Sequence, residues 1–306
     1  MKLTVFALNL ILSFSALAEW SEIEFSNSEL TTKIHLRLPQ NYDPAKKHAL
    51  MINLHGCAQK ATTLKEAGNW DDASDEYNTI IAIPEVPNGG VIFGCWDYYG
   101  LDHSRVEGLS GYLISLTKHL SNSYAVDNDR VGISGLSSGA GMSLVMGCIA
   151  PDVFSLVGSN AGPSVGTGSS DISRARISIE DILSNCNKLN SKLIESHSQI
   201  DIVSIIYGSN DYLVDTKYNT KNAEAFAARV EAEDKRTSDL SHLEGTNLSG
   251  ELTEYYHAGK LRVSLIQNTG LGHNWPAGST EKSGGFINKR SINYPKYLLK
   301  LLTKEL

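Results

Sequence analysis

The chain has 306 residues, 41% of them hydrophobic and 20% charged, enough to bury the core of one large α/β domain. Its 27 Lys and Arg against 34 Asp and Glu leave a formal net charge of −7. That balance argues against a nucleic-acid partner, which a basic patch or stripe would announce, and no run of like charges marks a tail.

Lys2 precedes an apolar stretch from Leu3 to Ala18, which is interrupted only by Thr4, Asn9, Ser13 and Ser15 and closes on Ala16-Leu17-Ala18 before Glu19. A short positive start, an apolar run and a small-x-small end read as a cleavable secretory signal peptide over residues 1–18. The run is short for a membrane span of about 20 residues. No stable membrane anchor is therefore expected, and a secreted or periplasmic location is. Residues 19–306 are expected to form a single domain, because no repeat and no Pro-, Thr- or Gly/Ser-rich linker divides them.

Ile34, Leu36 and Leu38 alternate with polar residues as a half-buried strand does, and residues 39–44 read as a turn. Ala49 to Leu54 and Thr79 to Ile83 are short apolar runs, expected as buried strands. Leu109, Tyr112, Leu113, Leu116 and Leu120 fall at helical spacing, which predicts a helix over about 107–122. Strands are further expected at 129–133, 154–158, 202–207 and 261–266, with helices from Ala140, over 222–233 and over 292–302. Residues 162–176 read as a surface loop, and the polar stretch 237–250 as an excursion near the mouth of a site. Strands alternating with helices imply an α/β fold, a mostly parallel central sheet with helices on both faces.

Gly135-Leu136-Ser137-Ser138-Gly139 lies between an expected strand and an expected helix. Strand, G-x-S-x-G and helix in that order is the context of a nucleophile elbow, where flanking glycines leave room for a tight turn and Ser137 Oγ is exposed in the cleft. A serine hydroxyl needs a base, and the base needs an orienting carboxylate. Asp211 follows the strand ending at Tyr207, in the crevice where such sheets bind ligands; Asp215 is its rival. His273 follows the last expected strand, behind Gly270 and Gly272. The N–H groups of Ser138 and of Cys57, in the loop after Leu54, are the expected oxyanion donors. Aromatic residues gather at Trp96, Tyr98 and Tyr99 and at Trp275, in Gly-flanked loops, and are candidates for an apolar substrate cleft. An even count of cysteines in an exported chain points to two disulfides among Cys57, Cys95, Cys148 and Cys186. Three pairings are open, and order along the chain favours Cys57–Cys95 with Cys148–Cys186. No C-x-x-C or Cys/His spacing suggests a metal site.

Five segments in register carry a resemblance: residues 54–59 (LHGCAQ), 95–100 (CWDYYG), 135–139, 208–211 (GSND) and 272–276 (GHNWP), with 154–166 in support. Together they resemble the secreted poly(3-hydroxybutyrate) depolymerase family of esterases over roughly residues 45–300. The resemblance implies an α/β-hydrolase fold and a serine esterase acting on an ester substrate without metal or organic cofactor. It makes Ser137 the nucleophile, Asp211 the acid and His273 the base, in the unpermuted order. Feruloyl and acetylxylan esterases are similar in the same motifs, so these and aromatic polyesters are alternative substrates. Tyr98-Tyr99 and Ala277 depart from the family pattern near the expected cleft. A non-catalytic binding protein on the same fold is the reading from another class.

Overall fold

A computed structural model describes residues 19–191 and 200–305; the expected signal peptide lies outside them. Three strands, β1 (Trp20–Ser26), β2 (Thr31–Arg37) and β3 (His48–Leu54), lead into two short helices, α1 (Ala61–Ala67) and α2 (Trp70–Glu76). Then follow β4 (Thr79–Pro84), α3 (Gly108–Ser123), β5 (Val126–Leu136), α4 (Ser138–Ile149), β6 (Leu156–Asn160), α5 (Ile179–Asn190), β7 (Ile202–Gly208) and α6 (Lys217–Arg229). The chain continues through β8 (Asp234–Asp239), β9 (Gly250–His257) and β10 (Lys260–Asn268) to α7 (Tyr294–Thr303).

These ten strands join one sheet in the order β1-β2-β4-β3-β5-β6-β7-β10-β9-β8, and Trp275–Pro276 pairs separately with Ile287–Asn288. The six from β4 to β10 pair in parallel, and both edges are antiparallel. Strand β3 shows why the centre is parallel and buried. Its sequence HALMINL has no polar face to give to water. Leu50, Ile52 and Leu54 pack into one core with side chains of α3, α4, α5 and α6, whereas Ala49 and Met51 pack into a second with α1, α2 and α7. Helices therefore cover both faces, as a parallel sheet requires.

The sheet order also locates the crevice. From β3 the chain moves outward to β4, then crosses back to β5 on the other side of β3. Ligand crevices of open α/β sheets form outside the carboxyl ends of the strands at such a switch point. The loops after β3 and β5 carry Cys57 and Ser137 to that place.

Several elements differ from the sequence expectation. Strand β2 is buried on both faces, because His35 and Arg37 lie inside and Arg37 pairs with Asp75 at 2.7 Å. Helix α6 starts at Lys217, where Asp215 accepts the Lys217 N–H, five residues before the apolar pattern begins. Residues 237–250 are divided: 237–239 lie in the edge strand β8, 244–249 bond to Ser291, Asn293, Asn268 and Thr269 rather than to the expected site residues, and Gly250 opens β9. Among the described residues, no helix is long and apolar enough to cross a membrane.

Candidate active site

The turn after β5 holds Ser137 at φ 59°, ψ −117°, a backbone state that an L-residue occupies only under constraint. The flanking glycines make it possible. A Cβ on Gly135 would fall 2.5 Å from the Gly139 carbonyl carbon, and one on Gly139 would fall 2.4 Å from the Leu54 carbonyl oxygen. The Ser137 N–H donates to the Asn160 carbonyl at 2.9 Å, and the Gly141 N–H donates back to the Ser137 carbonyl, starting α4. The turn thus ends a strand, begins a helix and leaves the Ser137 side chain partly exposed.

Asp211 and His273 meet across two loops. His273 Nδ1 and Asp211 Oδ2 are 2.7 Å apart, with the Asp211 side chain fully buried and His273 7% exposed. Asp211 Oδ1 accepts the N–H groups of Leu213 and Val214 at 2.9 and 3.1 Å. One carboxylate oxygen is therefore fixed by backbone and the other is left for the imidazole. The rival Asp215 is spent elsewhere: it accepts the N–H groups of Ala175 and Lys217, which hold its carboxyl below the usual range against the opposing effect of partial burial. The two loops approach closely at Gly208, and the Asn210 N–H donates to the Leu271 carbonyl at 2.9 Å. No hydrogen bond joins Ser137 Oγ to His273 among the described residues; such contacts commonly tighten only around substrate.

The loop after β3 is organised by His55, a role that the sequence did not reveal. Its Nε2 accepts the Val86 N–H at 3.2 Å, so the proton sits on Nδ1 and is donated to the Gly56 carbonyl at 2.8 Å. Burial pushes the His55 imidazole below the usual histidine range, opposed by the Gly56 carbonyl and Glu85. Gln59 Oε1 accepts the Gly56 N–H at 2.7 Å while its Nε2 donates to the Gly285 carbonyl at 2.9 Å. With Gly56 so occupied, the Cys57 N–H has no acceptor among the described residues. The Cys57–Cys95 disulfide ties this loop to the segment entering Trp96, whose N–H donates to Ser138 Oγ at 3.3 Å. The second disulfide joins Cys148 of α4 to Cys186 of α5.

The aromatic residues expected to line a cleft require correction. Trp96 and Trp275 are fully buried and Tyr98 is 2% exposed; only Tyr99 is half-buried. Trp275 Nε1 donates to the Gly68 carbonyl, and its ring packs on Trp70 and Tyr294. Tyr98 packs against α4, where Gly141 leaves room for its ring. The strand-end loops fold back onto the core, so these rings support the site from beneath. The apolar groups at the surface are others. Ile92 and Phe93 precede Cys95, Tyr212 and Leu213 follow Asp211, and the Phe286 ring stands edge-on to His273 at 6.2 Å. These are five of the seven large exposed hydrophobic residues among those described, and Phe93 and Tyr212 are more than 80% exposed. Among the described residues, no group of three His, Cys, Asp or Glu side chains could hold a metal ion.

The sequence profile of the Esterase PHB depolymerase family matches residues 35–253, from β2 into β9 and so across the Ser137 turn and Asp211. The chain belongs to this family. A poly(3-hydroxybutyrate) depolymerase of Ralstonia pickettii is 31% identical over 298 residues, covering 94% of this chain and 60% of that protein. Acetylxylan esterase A of Emericella nidulans is 27% identical over 146 residues, 47% of this chain and 46% of that one. The chain thus spans about half to three fifths of the length of these curated relatives. In structure it is similar to the acetyl xylan esterase from Aspergillus awamori, with a TM-score of 0.67 at 19% identity over 83% of this chain and 94% of that one. That likeness establishes the α/β-hydrolase fold for this member of the Esterase PHB depolymerase family.

Proposed function

We propose that the protein is an exported serine esterase that hydrolyses poly(3-hydroxybutyrate)-type polyester or its oligomers. The observation that carries this reading is the buried Asp211 carboxylate bonded to His273 Nδ1, on the same crevice as the constrained Ser137 turn. Asp211 fixes the tautomer, leaving Nε2 free of a proton. Nε2 takes the Ser137 proton as Oγ attacks the ester carbonyl, and the oxyanion is stabilised by the N–H groups of Cys57 and Ser138. His273 then hands that proton to the departing alcohol. Water, deprotonated by the same nitrogen, cleaves the acyl-enzyme and returns the serine. Two disulfides fit an oxidising compartment.

The exposed rim of Ile92, Phe93, Tyr212, Leu213 and Phe286 supports an apolar ester as substrate. The family membership and the Ralstonia relative support a hydroxybutyrate polyester; the partial match to an acetylxylan esterase keeps small acyl esters of polysaccharide as the second reading. The test is Ser137→Ala beside wild type, on p-nitrophenyl butyrate, hydroxybutyrate oligomers, polyester film and acetylated xylan. Wild type is expected to hydrolyse the first three, and the variant none. Turnover by folded Ser137→Ala would reject the nucleophile, and acetylxylan as the only polymer attacked would favour the second reading.

A further inference from the structure

One residue touches both halves of the proposed chemistry. Asn160 ends β6, in register with Leu136 of β5. Its main-chain carbonyl accepts the Ser137 N–H at 2.9 Å, and its side-chain Nδ2 donates to the carbonyl of Asn274, the neighbour of His273, at 2.8 Å. Asn160 is 1% exposed, and its Oδ1 is buried without a hydrogen-bond partner among the described residues. An amide that leaves one polar atom unsatisfied is a costly choice for a buried position, where an apolar side chain of similar volume would carry no such penalty. What the amide alone supplies is the N–H that reaches the base loop.

We propose that Asn160 is a positioning residue that sets the separation between nucleophile and base, an inference that rests on the assignment of Ser137 and His273 above. The loop after β10 is otherwise tied to the Asp211 loop through Ser209, Asn210 and Asp211. None of those bonds reaches the Ser137 turn. Asn160 does: its main-chain carbonyl holds the Ser137 N–H and its side-chain amide holds the Asn274 carbonyl, so one residue registers one loop against the other. Loss of the bond frees the His273 loop to shift relative to Ser137 while the Asp211–His273 pair moves with it. The charge state of the imidazole and its partner are retained, and the approach of Nε2 to Oγ is degraded. The expected signature is a fall in kcat with little change in KM, because substrate contacts are untouched.

The experiment compares Asn160→Asp, Asn160→Ala and Asn160→Ser with wild type on p-nitrophenyl butyrate. Active sites are counted by labelling with an alkyl fluorophosphonate, and thermal unfolding is recorded in parallel. Asn160→Asp keeps the shape and replaces the donor by an acceptor facing a carbonyl. We expect kcat per labelled site to fall about 30- to 100-fold in all three, and the labelling rate constant to fall in proportion, with KM within about threefold of wild type. The downfield proton resonance of His273 Nδ1 should persist. Turnover per labelled site within threefold of wild type in any folded variant overturns the proposal. So does loss of the folded state in all three, which would make Asn160 purely structural. Failure of the underlying assignment looks different: wild type itself would resist the phosphonate, or Ser137→Ala would retain turnover.

Discussion

Gly208→Ala tests how the Asp211 and His273 loops are held together. Gly208 ends β7, and a Cβ there would fall 2.0 Å from the Leu271 carbonyl oxygen, 2.4 Å from its carbon and 2.8 Å from the Gly272 oxygen. Real Cβ contacts essentially never fall below 3.0 Å, so one loop must retreat by about 1 Å. The obstructing atoms are all backbone, and no side-chain rotation relieves them. Asp211 lies three residues beyond Gly208, and His273 two beyond Leu271, so the retreat opens the 2.7 Å bond between them. A misplacement of about 1 Å at reacting groups can cost on the order of 100-fold in rate, or about 2.7 kcal/mol of transition-state stabilisation. Gly270→Ala in the base loop is the control. Gly270 has φ +81° and no atom within 4 Å of its Cβ position, so alanine there meets backbone strain of about 1–2 kcal/mol without a collision. Both variants should lose thermal stability, and only Gly208→Ala should lose kcat/KM on p-nitrophenyl butyrate by about 100-fold. Equal losses in the two would show that strain, not loop separation, controls the rate. Wild-type kcat/KM in Gly208→Ala would refute the reasoning outright.

Three further outcomes are expected. Asp211→Asn retains an oxygen for the Leu213 and Val214 N–H groups but presents an amide to His273 Nδ1; the proton then moves to Nε2, and kcat should fall about 10³- to 10⁴-fold in stopped assays with the fold intact by circular dichroism. The two disulfides span equal separations of 38 residues, so on chain entropy each contributes about 4 kcal/mol to stability. Cys57→Ser/Cys95→Ser and Cys148→Ser/Cys186→Ser should therefore lower Tm alike, whereas only the first should lower kcat, by about tenfold, through the loosened Cys57 N–H; equal kcat values would refute that link. His55 is depressed in the folded protein by burial, so the unfolded chain binds its proton first on acidification. Its contribution to stability is present above the unfolded value of about 6.5 and is lost as pH falls below it, at about 1.4 kcal/mol for each unit of depression. Chemical denaturation at pH 7.5, 6.5 and 5.5 should show that loss, and His55→Gln should flatten it.

What could be read from the sequence was local. The turns that carry Ser137, Asp211 and His273 each combine a strand end with glycines, and a strand end in a parallel sheet has only one place to go. Strand β3 is legible because HALMINL has no polar face. Strand β8 is not: DKRTSD is polar throughout and exposed throughout, and only pairing with β9 makes it a strand. Helix α5 starts at a capping box formed by Ser178 and Asp181, a local signal of a helix start. The aromatic residues misled for a physical reason. A Gly-flanked loop next to a site need not face the solvent, and Trp275 fills the gap between Trp70 and Tyr294. Phe93 and Phe286 could not have been placed, because both occupy positive φ, where bulky residues are rare and no composition rule puts them.

The bonds that organise the site divide it into two parts with different tolerance for change. His55, Gln59, Asn160 and Asp211 each engage backbone N–H or C=O groups of the loops that hold the chemistry. A substitution at any of them breaks a hydrogen bond to loop backbone and loosens that loop. Ile92, Phe93, Tyr212 and Leu213 project from those same loops into solvent. Replacing them costs little stability and leaves the reacting groups where they are. Specificity can therefore be retuned on this frame by changing the rim alone. Under the proposed function, the choice among polyester, oligomer and small acyl ester would rest on these exposed side chains, which neither strand periodicity nor the G-x-S-x-G motif reports.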